Sequence, residues 1–151
     1  MSDRTRIPLW LWTLAVVAIV LLVVAVVGRY DGPSIRAIPA DQSMTDDQAR
    51  EVAEKTLLVW ARERNAGNPV NLREMTCPDP PDSWVSRQLI GIEEGGTPPE
   101  WDIVALTGFA RAGSTWTLNG LGRDHGGMFT LKIDDGRLRV CAMGPVPVPT
   151  D

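Results

Sequence analysis

The sequence predicts an α+β domain behind one transmembrane helix, with a long helix packed on a curved four-stranded antiparallel sheet. Three observations predict it. Residues 7–28, IPLWLWTLAVVAIVLLVVAVVG, carry no charged side chain. Apolar residues recur at helical spacing after Met44. From Trp101 the apolar period shifts toward two, with turn residues at short intervals.

The first segment fits a membrane span. A helix of this length covers about 33 Å, slightly more than the hydrocarbon core of a bilayer. Only Thr13 is polar within it, and Pro8 sits at the first turn, where a missing N–H costs nothing. Trp10, Trp12 and Tyr30 suit the two interfaces. A cleaved signal peptide is the rival reading, but its apolar region is shorter. No lipobox cysteine follows the run. Residues 1–6 then form a short cytoplasmic tail, and the C-terminal part is exported. The basic residues on the two sides are nearly balanced, so this orientation rests on the short tail and on the position of the cysteines.

Residues 29–43, with Gly32, Pro33 and Pro39, read as a linker. A capping box, Thr45 with Gln48, then opens a helix, and Asp46 and Asp47 favour its positive end. Ala49, Val52, Ala53, Thr56, Val59 and Trp60 form its apolar stripe, and Gly67 and Pro69 stop it. Short helices are expected at Asn71–Thr76 and Trp84–Ile90, the second capped by Ser83. Pro78, Pro80 and Pro81 force a loop between them, and Gly91–Pro99 forms another.

Four strands follow. Trp101–Phe109 has apolar residues at both parities, so it is covered on two faces or bent at Gly108. Ala112-Gly113 turns into a strand through Trp116, Leu118 and Gly120. Residues 123–127 form a loop, and Met128–Ile133 is the third strand. Asp135-Gly136 is a hairpin turn leading to Leu138, Val140 and Ala142. The domain runs over residues 44–144. Residues 145–151 are a Pro-rich tail.

Charge and cysteines bound the function. From Met44 onward there are eleven Lys and Arg against sixteen Asp and Glu, dispersed along the chain. Nucleic acid is therefore not an expected partner, since phosphate binding needs clustered cations. Two cysteines, Cys77 and Cys141, lie in the exported part. An even count there reads as a disulfide, and two buried free thiols are the alternative. The only histidine is His125, so no metal site and no cofactor is expected. The carboxylate pairs Glu93-Glu94 and Asp134-Asp135 lack calcium-loop spacing. No nucleophile elbow, P-loop or dinucleotide fingerprint occurs.

The helix AREVAEKTLLVWARERNAGNPVNLREMTC and the hairpin LKIDDGRLRVC give the chain a resemblance. It is similar to the cystatin-like roll of the nuclear-transport-factor-like superfamily, in the form of small actinobacterial proteins anchored to a membrane. The resemblance implies that Cys77 and Cys141 tie the helical layer to the last strand. It also implies a cone between helix and sheet, which Trp101 and Phe109 would line if it is hollow, with Asp102 and Arg111 as inward polar groups; packing of the tryptophans in the core and surface positions for the two charges are the other, preferred readings. Members of the superfamily include isomerases and dehydratases, and others only bind partners or ligands. Anchored relatives include accessory proteins of mammalian-cell-entry lipid-transport systems. Two functions are therefore expected in competition. One is a non-catalytic module on the cell membrane, held by lipid through residues 7–28 and binding an envelope protein or serving as accessory subunit. The other is a hydrophobic-ligand carrier or small enzyme that uses the cone.

Overall fold

The computed structural model describes residues 35–146 apart from 82 and 124. The expected tail 1–6, the membrane segment 7–28, the first part of the linker and the end of the Pro-rich tail lie outside the described residues. Among the described residues no helix is long and apolar enough to cross a membrane.

Three helices precede the main sheet. Helix α1 spans Asp46–Asn65 and opens on the expected capping box. The Gln48 N–H donates to Thr45 Oγ1 at 3.3 Å, and the Thr45 N–H donates to Gln48 Oε1 at 3.0 Å. Its inner face buries Ala49, Ala53, Leu57 and Trp60 completely. Thr56 joins them because its hydroxyl donates to the Val52 carbonyl at 2.7 Å. Helix α2, Pro69–Met75, starts earlier than its apolar pattern. Asn68 caps it and Pro69 takes the first helical position, so the residues that stop α1 also start α2. Helix α3, Trp84–Glu93, runs one turn beyond Ile90. It tolerates Gly91 and ends where Gly95 adopts φ 86°.

Five strands form one curled antiparallel sheet rather than four. They are β1 (Ile38–Pro39), β2 (Ile103–Ala112), β3 (Thr115–Gly122), β4 (Gly126–Asp134) and β5 (Arg137–Gly144), in the spatial order β1-β5-β4-β3-β2. The extra strand comes from the segment expected to be linker. Ile38 pairs with Leu138, and the Ala40 N–H donates to the Gly136 carbonyl at 3.0 Å. An edge strand with bare backbone groups is a liability, and two residues ending in proline cover part of it. The Asp135-Gly136 turn has φ 49° and 69°, the double positive φ of a type I′ hairpin.

Bulges curl the sheet. Strand β2 is irregular at Val104 and again at Gly108-Phe109, where Gly108 has φ 63°. These shifts change its inward period from two to three. Ile103, Leu106 and Phe109 therefore pack on the core, which resolves the apolar residues at both parities. A third bulge in β5 turns Val140 and Cys141 inward together. Cys141 bonds Cys77, with Cα atoms 4.9 Å apart. Beside the disulfide, Thr76 bridges Val140, and the Cys77 N–H donates to the Val140 carbonyl at 3.0 Å.

Aromatic rings fill the concave side. Trp101 stacks on Phe129 at 5.4 Å, Trp84 meets Trp101 edge-on at 5.8 Å, and Trp60 lies 6.3 Å from Phe129. The Trp60 indole N–H donates to Thr76 Oγ1 at 3.0 Å. Glycines make room for the rings. A Cβ on Gly120 would come within 3.0 Å of Phe129, and one on Gly122 within 2.4 Å of Trp101 Nε1.

Two outcomes follow. Gly122→Ala lowers stability by about 1–3 kcal/mol, because the added carbon meets both the indole and the His125 carbonyl. Replacing both Cys77 and Cys141 by Ser costs about 2–4 kcal/mol, given the 64-residue separation. Urea unfolding of each variant checks both.

Candidate functional site

The four residues expected to line a cone do not converge. Trp101 is 3% exposed and belongs to the aromatic core, and among the described residues its indole N–H meets no acceptor. Asp102 is exposed at the start of β2. Phe109 is half-buried, edge-on to Trp116 at 6.0 Å. Arg111 lies near the far end of β2, opposite Trp116. Its Nε is 2.7 Å from Asp46 Oδ1, and its Nη1 donates to the Met44 carbonyl at 2.7 Å. Cys77 and Cys141 are the buried disulfide.

A tight polar brace, not a pocket, stands behind Trp101. Asn65, at the end of α1, holds the Trp101 backbone from both sides. Its Nδ2 donates to the Trp101 carbonyl at 3.0 Å, and its Oδ1 accepts the Trp101 N–H at 3.1 Å. Arg64 is 2% exposed and donates to Gln88 Oε1, Asn65 Oδ1 and the Pro99 carbonyl at 2.8–2.9 Å. Its guanidinium lies 5.2 Å from the centre of the Trp84 ring. Burial lowers its pKa from the ordinary value, yet an arginine keeps its proton across the working range. These neutral partners join α1, α3 and the loop before β2.

The described hollows open at the surface. One, of about 220 Å³, lies between the end of α3 and the loop at Gly96–Pro99. Another, of about 200 Å³, lies beside the disulfide, between Asp79 and Lys132. A third, of about 400 Å³, is the groove where the first turn of α1 faces β2, lined by Asp46, Asp47, Arg50, Phe109, Ala110 and Arg111. It contains two of the four expected residues. Among the described residues no three His, Cys, Asp or Glu side chains group as metal ligands.

The charges of this groove are mostly spent internally. Asp46 takes Arg111, and Glu54 takes Arg50 at 2.8 Å. Among the described residues Asp47 has no ion pair. The groove continues into the outer edge of β2, the last strand in the sheet order. Among the described residues no strand pairs with that edge. Val104, at the first bulge, is 60% exposed. Asp46, Asp47, Arg50 and Val104 carried no sequence signal for this place. The two acids are explained as helix-end charges, and nothing local tells that the helix start abuts β2.

Comparison with family models, with curated proteins and with solved structures returned no match for this chain. Its class therefore rests on its own geometry: an α+β domain with an aromatic-filled interior and a polar groove at a strand edge that is unpaired among the described residues.

The Arg111–Asp46 pair is largely solvated on the acid side, where the Asp46 side chain is 79% exposed. Arg111→Ala should lower stability by about 1 kcal/mol, and Asp46→Asn by less, since exposed pairs contribute little. Chemical denaturation of both variants checks the order. An equal loss would mean that the bond to the Met44 carbonyl adds nothing.

Proposed function

We propose that this chain is a non-catalytic, membrane-anchored module that works outside the cytoplasmic membrane. Residues 7–28 hold it in lipid, with the N-terminus cytoplasmic. Its domain, of the cystatin-like roll type, binds another envelope protein or serves as an accessory subunit in the cell envelope.

The observation that carries this reading is the filled interior. Trp60, Trp116, Phe129, Leu57 and Leu118 are fully buried where a carrier or a cone-type enzyme needs space. Asp102 and Arg111 point their chemistry elsewhere, to solvent and to the start of α1. The groove and the strand edge, by contrast, are accessible to another protein. The disulfide agrees with an oxidising compartment. The uncharged run at 7–28 agrees with an anchor.

Two measurements test the reading. The full chain should remain with membranes through alkaline carbonate washing, and removal of residues 7–28 should release it. Cross-linked membranes from cells with the full chain should yield co-purifying proteins that are lost when residues 44–144 are removed. An unchanged set sinks the partner-binding role.

A further inference from the structure

We propose that the partner docks by adding a strand to the outer edge of β2, as a short extended segment with an apolar centre and Lys or Arg at its flanks. This rests on the partner-binding reading above and names the surface and the chemistry of the ligand.

The two edges of the sheet are treated differently. The outer side of β5 is occupied by β1 and by the Thr76–Cys77 segment. The outer side of β2 has no partner among the described residues, although β2 is ten residues long. Protected edges usually carry lysine, proline, inward charges or bulges. Strand β2 has none of the first two, and its one charge, Arg111, is turned toward Asp46 and Met44. Its bulges divide the regular backbone into Ala105–Thr107 and Ala110–Ala112. They therefore admit a short added strand and disfavour the long, continuous pairing that leads to aggregation.

Charge selects the occupant. Glu100 and Asp102 are exposed before the strand, and Asp47 is exposed beside its far half. Among the described residues none of the three has an ion pair. The two arginines of the groove are already held by Asp46 and Glu54. An incoming segment thus meets apolar or small residues (Val104, Ala105, Thr107, Ala110) between unpaired carboxylates at both ends. Basic flanks complement that pattern and acidic flanks oppose it.

The probe is the acetylated, amidated heptapeptide KTVTVTK, added to the full chain in nanodiscs, with amide hydrogen exchange read along the chain. Slowed exchange within 103–112, absent with ETVTVTE and absent when alternate peptide nitrogens are methylated, is expected. Val104→Lys should weaken binding about tenfold through like charge at the edge. The double variant Asp47→Asn, Asp102→Asn changes only exposed side chains and should weaken it about three- to tenfold. Unchanged exchange in β2, or equal binding of the acidic or methylated peptide, overturns the proposal. The broader reading fails by a separate signal: co-purifying proteins that persist without residues 44–144 while KTVTVTK still protects β2. In that case the edge binds strands but the envelope partner is lost as its occupant.

Discussion

The rest of the domain depends on the curl of the sheet. Flat strands would leave α1 lying on a surface, with Trp60 and Phe129 half in water. The bulges in β2 and β5 bend the sheet around the helix instead, and the concave space is closed by packed rings. Two of the rings pack where a glycine leaves room for them, Phe129 at Gly120 and Trp101 at Gly122. Curvature, glycine placement and aromatic packing are thus one constraint seen at three levels. A change in any of them opens the interior.

The same bulge in β5 joins the helical layer to the sheet. By turning two consecutive residues inward, it places Cys141 against Cys77 while Val140 still packs in the core. Thr76 then serves two elements at once. Its hydroxyl accepts from Trp60 on α1 and donates to the Leu72 carbonyl of α2, and its backbone bridges β5. A chain of contacts from the exposed Arg62 through buried Glu63 and Asn71 reaches the Ile35 N–H and secures the start of the domain. Most buried polar side chains among the described residues are satisfied, several of them by bonds that join elements, with the Trp101 indole N–H and Arg139 Nε as exceptions.

The proposed function therefore lies at the periphery. A filled core gives rigidity, and rigidity suits a surface that must present a strand edge in a fixed position. One edge is closed by the chain itself, and the other is unpaired among the described residues, beside a groove of nearly balanced charge. The proposed role as an anchored partner-binding module follows from that asymmetry, and the acid residues around the open edge decide what kind of segment would fit there.

Local signals made most of the elements legible. The capping box at Thr45, the cap at Ser83, the Asp-Gly turn and the shift of period after Trp101 are written in adjacent residues, and the cysteine count pointed to a bridge. What local sequence could not show were long-range juxtapositions. Ile38–Pro39 becomes a strand only because β5 offers it an edge, and Trp101 leaves the proposed lining because Asn65 and Gly122 hold it in the core. Arg111 meets Asp46 across 65 positions of sequence only after the bulge at Gly108 has bent β2 toward α1. By itself the sequence determined most of the helices, strands and turns after Met44, since those depend on neighbours within a few residues. The tertiary structure alone decided that the interior is filled and that the groove lies at an edge, because both depend on curvature that distant residues create together.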